Sequence, residues 1–180
     1  VRDGRNTAVA RLAVTKVGNE LPYTCKAEPW RLTLEAEGGA VELCFADYEN
    51  IALRGRGLGL RLDYTPDNSY GYVHALNAEK TVYMATFYSC RDRFVIAARK
   101  GGITACQRWS VQNASDVSLS FGEDFEASLT EVPVEWDGCL PEYDFDGLAA
   151  LRKADFEGWL RKMSSVPARY EETRILAAYV

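Results

Sequence analysis

Five carboxylates stand close together near the end of the chain, in the order Glu135, Asp137, Glu142, Asp144 and Asp146. Paired acids of this kind hydrolyse glycosides when one protonates the leaving oxygen and the other activates water or attacks the sugar. Three aromatic residues are mixed with them, as in a platform on which a sugar ring stacks. These aromatic residues are Trp136, Tyr143 and Phe145. This segment is therefore the first candidate for chemistry.

A structural interpretation of the same segment competes with the catalytic one. No apolar stretch adjoins the acids to raise the pKa of one of them, as a general acid requires. Asp144, Asp146 and Gly147 resemble part of a calcium loop, but the remaining ligands of such a loop are missing. Because the segment shows little periodicity, we interpret residues 135–146 as an acidic linker on the surface. Asp146 is predicted to cap the helix that follows.

His74, the only histidine, has a plain structural interpretation. It lies in an alternating stretch, opposite Val73 and Ala75, and no nucleophile motif such as GxSxG accompanies it elsewhere in the chain. A metal centre would have to draw almost all of its other ligands from carboxylates and thiols, which nothing in the sequence suggests. We therefore predict a structural histidine and no metal site.

Alternating glycines in "RGRGLGLRLDY" raise the question of a phosphate-binding loop. A dinucleotide fingerprint needs a preceding strand, a following helix and the full GxGxxG spacing. Here the residues after Gly59 alternate like a strand, and the third spacing is wrong. We predict that Gly55, Gly57 and Gly59 lie in a strand and leave one face bare, so that a backbone or a large aromatic ring approaches closely.

Cysteine usage and charge exclude several classes of protein. The cysteines are Cys25, Cys44, Cys90, Cys106 and Cys139, an odd number without a CxxC motif, so neither a zinc site nor a disulfide framework is predicted. Most are expected to be reduced thiols in apolar surroundings of a cytoplasmic protein. The net charge of -5 argues against a nucleic-acid partner. No apolar run has the length of a membrane span.

Residues 7–133 read as short strands separated by turns. The stretches "WRLTLEAE" and "AVELCFA" alternate, which places Val41, Leu43 and Phe45 toward a core and Glu42 toward solvent. With 47% apolar residues the chain is able to fill such a core. About ten strands at this spacing predict a mainly β fold, a large antiparallel, supersandwich-like β-sandwich over residues 1–134.

Residues 147–180 read as helices. The first, "LAALRKADFEGWLRKM", has an apolar side that consists of Leu148, Leu151, Phe156, Trp159, Leu160 and Met163. The second, "ARYEETRILAAYV", ends on six apolar residues, 175–180. A helical turn that is apolar all round is normally buried on every side. We therefore expect these helices to lead into a helical body beyond residue 180.

The order of a sandwich containing "GGAVELCFADYENIALRGRGLGLRLDY", an acidic linker, an amphipathic helix and "PARYEETRILAAYV" resembles the N-terminal part of bacterial (α/α)6-barrel glycoside hydrolases. Glycoside hydrolase family 63, trehalases and amylo-α-1,6-glucosidases are the most similar groups. The resemblance covers most of the chain in architecture. It rests on the arrangement of elements more than on any single motif.

The resemblance implies an accessory domain that packs on a C-terminal (α/α)6 barrel of the same polypeptide, at the rim of a cleft for α-glucosidic oligosaccharides. The catalytic carboxylates of these families lie in the barrel, and no residue of this chain matches their motifs. No catalytic, cofactor-binding or metal-binding residue is therefore assigned, and no cofactor is expected. Two alternatives stay open: a stand-alone carbohydrate-binding module and a β-sandwich for protein contacts alone.

Overall fold

The computed structural model describes residues 10–64, 72–87, 92–109, 115–133, 135–136 and 138–177. They form thirteen strands in two antiparallel sheets, followed by two helices. The prediction of a mainly β fold with antiparallel sheets is therefore confirmed. The division of the chain at residues 134 and 146 stays a prediction.

The smaller sheet has five strands in the order β11-β12-β7-β1-β2, and the larger has eight in the order β3-β4-β5-β6-β13-β10-β9-β8. The strands are β1 (Arg11–Lys16), β2 (Asn19–Glu20), β3 (Thr24–Glu28), β4 (Arg31–Ala36), β5 (Gly39–Phe45), β6 (Asn50–Arg56), β7 (Gly59–Tyr64), β8 (Tyr72–Leu76), β9 (Val82–Phe87), β10 (Asp92–Lys100), β11 (Ile103–Trp109), β12 (Ser115–Phe121) and β13 (Glu126–Pro133). The sequence pattern missed β2, β3 and the first four residues of β6, since the stretch predicted as a strand began at Arg54.

One apolar core lies between the two sheets. Val14, Leu60 and Leu119 enter it from the smaller sheet, and Leu53 and Phe94 enter it from the larger one. Each of the five is less than a tenth exposed. We call the face of the larger sheet that points toward this core its inner face, and the opposite face its outer face.

The predicted orientation of β5 is wrong at two positions. Glu42, expected in solvent, is 6% exposed, whereas Phe45, expected in the core, is 61% exposed. Phe45 is the last residue of β5 and pairs with Ile51 at the start of β6, so it projects at the end of the sheet. Glu42 is buried because the outer face of this sheet is itself covered, and alternation distinguishes the two faces only when one of them meets water.

The glycine-rich stretch is a corner between the sheets and not one continuous strand. Strand β6 belongs to the larger sheet and ends at Arg56, whereas β7 belongs to the smaller sheet and begins at Gly59. Gly57 between them has a φ of +67°, a left-handed conformation that favours glycine, and its N–H donates to Asp124 Oδ1 at 2.9 Å. The predicted close approach is confirmed at Gly55, where an added Cβ would lie 2.4 Å from Phe125 Cε1.

Helix α1 (Phe145–Lys162) begins at an N-cap other than the predicted one. Asp144 is the cap, and its carboxylate accepts from the N–H of Gly147 at 3.1 Å. Asp146 lies inside the first turn, where its negative charge suits the helix N-terminus. The predicted cap residue is therefore wrong by two positions, because the helix begins earlier than its apolar pattern indicates.

The predicted apolar side of α1 is only partly the side that packs. Phe145 is buried against Cys44 and Ala52 of the sheet, with Leu148 beside it. Leu151, predicted to be on the packed side, is 56% exposed. The difference arises because the helix is attached through its first turn, which brings the side that carries Phe145 onto the sheet.

A 3-10 turn, Ala168–Tyr170, leads into the short helix α2 (Glu171–Ala177). Arg174 of α2 donates from Nη1 to the carbonyl of Leu160 at 3.0 Å, near the C-terminal end of α1. A cation there satisfies a free carbonyl and complements the helix dipole. Of the apolar residues 175–180, the last three lie outside the described residues.

Gly55→Ala is expected to destabilise the fold by about 1–3 kcal/mol, because the added Cβ would also lie 2.3 Å from the carbonyl oxygen of Leu58. Urea unfolding measures the change. Gly122→Ala is the matched control, since a Cβ at Gly122 meets nothing within 4 Å. We expect the control to change stability by less than about 0.5 kcal/mol. Equal stabilities for the two variants would contradict the proposed contact.

Candidate functional site

The outer face of the larger sheet carries a buried pair of opposite charges. Glu42 on β5 is 6% exposed and Arg54 on β6 is 5% exposed. The two residues face each other across paired strands. Arg54 donates from Nε and Nη2 to Glu42 Oε2 at 3.0 and 2.8 Å. Charges this deeply buried are stable only when they are paired and hydrogen bonded.

Further charges extend this pair on both sides. Arg31 of β4 donates from Nη1 to Glu42 Oε1 at 2.9 Å and from Nη2 to Glu28 Oε2 at 2.9 Å. On the other side, Arg54 Nη1 lies 2.9 Å from Asp146 Oδ1 in the first turn of α1. Glu42, Arg54, Arg31, Glu28 and Asp146 therefore form a continuous ion network, which joins four strands, β3 to β6, to the helix.

Phe145 covers the buried end of this network. The guanidinium of Arg54 lies 4.1 Å from the centre of the Phe145 ring, a cation–π contact. The same ring packs on Cys44 and Ala52, which neighbour Glu42 and Arg54 along their strands. Helix α1 is thus attached by charge through Asp146 and by apolar contact through Phe145.

The network lowers the pKa values of two of its carboxyl groups. The hydrogen bond from Arg54 lowers the pKa of Asp146, and the hydrogen bond from Arg31 lowers the pKa of Glu28. A general acid in glycoside hydrolysis needs a raised pKa. The pKa values of Asp146 and Glu28 are lowered instead, so these carboxylates stay charged and bind Arg54 and Arg31.

The five carboxylates of the linker segment do not form a cluster in the described part of the chain. Asp144 caps α1, Asp146 belongs to the ion network, and Glu135 and Glu142 are exposed. Asp137 lies outside the described residues. The catalytic interpretation of this segment thus finds no support in the geometry.

The three aromatic residues of the segment also have separate environments. Phe145 is buried under Arg54. Trp136 is half-buried and donates from Nε1 to the carbonyl of Cys139 at 2.9 Å. Burial and the charge of Asp47 raise the pKa of the half-buried Tyr143. Because Phe145 is enclosed, the three rings do not present one open platform.

His74 and the cysteines show no site either. The His74 ring lies 5.8 Å from that of Tyr83, which is buried in the core. Within the described ranges, no group of three or more His, Cys, Asp or Glu residues is placed to hold a metal ion. Cys44 is buried, and this burial raises the pKa of its thiol. Cys25, Cys106 and Cys139 are exposed, contrary to the expectation of apolar surroundings, and Cys90 lies outside the described residues.

A cleft of about 330 Å³ opens beside the ion network, between the outer face of the sheet and residues 140–145. Residues of β6, β10 and β13 form its floor, and Leu140, Pro141 and Tyr143 lie opposite them. Arg99 of β10 donates from Nη1 to the carbonyl of Tyr143 at 2.9 Å and so holds the covering segment to the sheet. The predicted linker is thus one wall of a cleft.

Helix α1 and the 3-10 turn after it carry large apolar side chains in solvent. Leu151 is 56% exposed, Trp159 is 46% exposed and Tyr170 is 48% exposed. We call these three residues the C-terminal helical surface. Neither α1 nor α2, the helices in the part of the chain described here, is long and apolar enough to cross a membrane.

The ion network and the cleft were not predicted from the sequence. Glu42 was expected in solvent, and the strand predicted over "RGRGLGLRLDY" gave no indication that Arg54 lies opposite Glu42. The available signal was the presence of an amphipathic helix after the strands, because such a helix needs a sheet face to cover. The sequence matches no protein-family model, and no curated protein is significantly similar to it.

Glu42→Gln is expected to destabilise the fold by about 3 kcal/mol, since it leaves the buried Arg54 with only the exposed Asp146 as a charged partner. Urea unfolding at neutral pH measures the change. Glu35→Gln, an exposed carboxylate on the adjacent strand β4, is the control and is expected to change stability by less than about 0.5 kcal/mol. A Glu42→Gln variant as stable as the control would show that the pair does not stabilise the fold.

The lowered pKa of Asp146 also predicts a pH dependence. A carboxyl group whose pKa is lower in the folded state contributes stability above its ordinary value of 3.8, and this contribution is lost as the pH falls through the folded value. Because the Asp146 side chain is 71% exposed, the effect is expected to be at most about 1 kcal/mol. The free energies of unfolding of the wild type and of Asp146→Asn, measured from neutral to acidic pH, should therefore converge once the pH is below the lowered pKa of Asp146. Parallel curves throughout would contradict the assignment.

Proposed function

We propose that this chain is a non-catalytic accessory domain of a glycoside hydrolase that acts on α-glucosidic oligosaccharides. In this proposal it packs on a following (α/α)6 barrel of the same polypeptide and lies at the rim of the barrel's substrate cleft. The enzyme class and the substrate rest on the resemblance in element order. The cytoplasmic setting inferred from the cysteines belongs to the same proposal.

The observation that carries the proposal is the C-terminal helical surface. Leu151 and Trp159 on α1, and Tyr170 in the 3-10 turn that follows it, expose large apolar side chains. Exposed aromatic and aliphatic groups of this kind are typical of surfaces that dock another protein element. A helical body that packs on these helices would bury all three.

The ion network supports a docking function because it attaches α1 to the sandwich at its first turn. Asp146 and Phe145 both contact Arg54, so the start of the helix is fixed by a polar and an apolar contact. Arg174 then joins α2 to the far end of α1. A surface that is ordered before binding loses less conformational entropy when the partner docks.

Trp159→Ser tests the docking. In the 180-residue chain alone the change is expected to be small, because Trp159 is already 46% exposed. In the natural polypeptide with its barrel, Trp159→Ser should lower the free energy of unfolding by about 2 kcal/mol more than it does in the chain alone. Removal of an aromatic side chain from the centre of an interface has an effect of this size. Thermal unfolding of both forms measures the difference. Tyr48→Ser, at an aromatic residue in the turn between β5 and β6 that is 104% exposed, is the matched control.

The outcomes of this experiment separate the alternatives. An encoding reading frame without a helical domain after residue 180, or an identical effect of Trp159→Ser in both forms, would contradict the proposed docking.

A second assay tests the non-catalytic role: the chain alone is incubated with maltose, trehalose and p-nitrophenyl α-glucoside. We expect no turnover by the chain and hydrolysis of at least one substrate by the longer polypeptide. Turnover by the chain alone would overturn the proposal.

A further inference from the structure

A second groove, of about 380 Å³, lies between the first turns of α1 and the turn that joins β5 to β6. Leu148, Leu151 and Arg152 line it from the helix, and Ala46 and Asp47 line it from the turn. Residues 142–144 of the predicted linker line it as well. We call it the acidic groove, for the reason that its charges give below.

The helix side of the acidic groove is an apolar ridge. Leu148 and Leu151 are three residues apart on α1, so their side chains lie on the same side of the helix, and both line the groove. Leu148 is half-buried and Leu151 is 56% exposed. The ridge is therefore open to solvent, as are surfaces on which another protein element packs.

The charges around this ridge are mainly negative. Asp47, Glu142 and Asp144 line the groove, and all three are exposed. Within the described part of the chain, neither Asp47 nor Glu142 has an ion pair. Among the described residues that line the groove, Arg152 is the one cation. It donates from Nη1 to Asp155 Oδ2 at 3.3 Å, so Asp155 partly neutralises it.

Asp47 is held in place by neutral donors. Its Oδ1 accepts from the N–H of Glu49 at 2.8 Å, and its two oxygens accept from Asn50 Nδ2 at 2.8 and 2.9 Å. These bonds orient the carboxylate and bring no positive charge to it. Burial raises the pKa of Tyr143, the charge of Asp47 raises it further, and the charge of Arg152 opposes this increase by a smaller amount. The negative charge therefore dominates at this wall of the groove.

Arg152 keeps donors that the described part of the chain does not use. Its Nε is buried without a hydrogen-bond partner there, and only Nη1 donates, to Asp155. A guanidinium has five N–H donors, and a neutral carbonyl oxygen is a suitable acceptor for them. Buried donors without partners are uncommon in native proteins and call for an explanation. An occupant that fits the groove therefore supplies a carbonyl oxygen as well as positive charge.

These properties select a protein segment over other occupants. Nucleic acids and anionic lipid surfaces would be repelled by the carboxylates. A metal ion lacks ligands, because no group of three or more His, Cys, Asp or Glu residues in the described ranges is placed to hold one. A small organic cation would not be enclosed, since small-molecule sites bury most of their ligand. A peptide offers apolar side chains, cationic side chains and carbonyl oxygens within a few residues.

We propose that the acidic groove binds a segment of a partner protein in which large apolar side chains lie next to Lys or Arg. The apolar side chains cover Leu148 and Leu151, the cationic ones lie against Asp47 and Glu142, and a backbone carbonyl accepts from Arg152. The inference goes beyond the accessory role proposed above, because the partner is a separate polypeptide. Of the C-terminal helical surface it uses Leu151 and neither aromatic residue.

Titration of the isotope-labelled 180-residue chain with a synthetic basic peptide, followed by amide NMR, tests the groove. The peptide is two copies of Lys-Leu-Ala-Ala-Leu-Lys-Ala, which as a helix carries its leucines on one side with lysines beside them. We expect saturable shifts at the amides of Asp47, Leu148 and Arg152, with a Kd on the order of 0.1 mM in low salt. Because the attraction is partly electrostatic, half-molar sodium chloride should weaken binding by about threefold.

Two comparator peptides separate the contributions of charge and apolar contact. In one every lysine is replaced by glutamate, and in the other every leucine is replaced by serine. We expect no saturable shifts with the first and at least about fivefold weaker binding with the second. Absence of saturable shifts with the basic peptide, or equal binding of either comparator, would overturn the proposal.

Two variants and a matched control locate the bound peptide. Glu142→Lys reverses an exposed charge of the groove and should weaken binding by about fivefold. Glu79→Lys makes the same change in the turn between β8 and β9, away from the groove lining, and should leave the Kd unchanged. Leu151→Ser should weaken binding by about fivefold. Equal Kd values for the two charge reversals, or unchanged binding by Leu151→Ser, would overturn the proposal. Thermal unfolding checks that each variant is folded.

Light scattering of the chain without peptide tests a second copy as the occupant. We expect a monomer at the concentrations of the titration. A dimer that Glu142→Lys dissociates and Glu79→Lys does not would assign the groove to self-association and overturn the proposal.

The two proposals fail independently. Trp159→Ser should leave the Kd of the basic peptide unchanged, because Trp159 does not line the groove. Glu142→Lys should leave the effect of Trp159→Ser on the longer polypeptide unchanged, because Glu142 is not part of the C-terminal helical surface. A chain that binds no peptide but is stabilised by a helical barrel would refute the groove alone. A chain that binds the peptide but gains nothing from such a barrel would refute the accessory role alone.

Discussion

The pairing of Glu42 with Arg54 is the constraint on which the outer half of this molecule depends. Two charges on neighbouring strands of a sheet are nearly excluded from water, and their energy is acceptable only while each keeps its hydrogen bonds. Arg54 completes its set of partners with Asp146, and its planar face is covered by Phe145. The sheet therefore needs α1 to cover and pair Arg54, and α1 needs the sheet as the surface to which its first turn is attached.

This constraint explains why the larger sheet behaves unlike a simple sandwich layer. Its inner face contributes Leu53 and Phe94 to the apolar core, while its outer face is covered by α1 and by residues 140–145. The ion pair of Asp146 with Arg54 on one side, and the hydrogen bond from Arg99 to the Tyr143 carbonyl on the other, hold the covering segment across β6, β13 and β10. Small residues beneath this segment leave the cleft open.

The two proposals use different parts of this arrangement. Docking of a barrel depends on α1 and the 3-10 turn after it, whose apolar side chains remain in solvent at Leu151, Trp159 and Tyr170. Binding of a basic segment depends on the acidic groove that the first turns of α1 form with the turn between β5 and β6, where Asp47 and Glu142 have no cation in the described part of the chain. Attachment of α1 at its first turn therefore positions both surfaces.

The amino-acid sequence by itself determined the fold class, because alternation over many short stretches specifies antiparallel strands wherever one face is apolar. It also predicted that a backbone or an aromatic ring approaches the glycines closely, and Leu58 and Phe125 both do so at Gly55. Only the tertiary structure decided that both faces of β5 are buried, that Arg54 lies opposite Glu42, and that Asp144 rather than Asp146 is the cap. The reason is physical: burial of Glu42 depends on a helix more than a hundred residues away, and local periodicity carries no information on that contact.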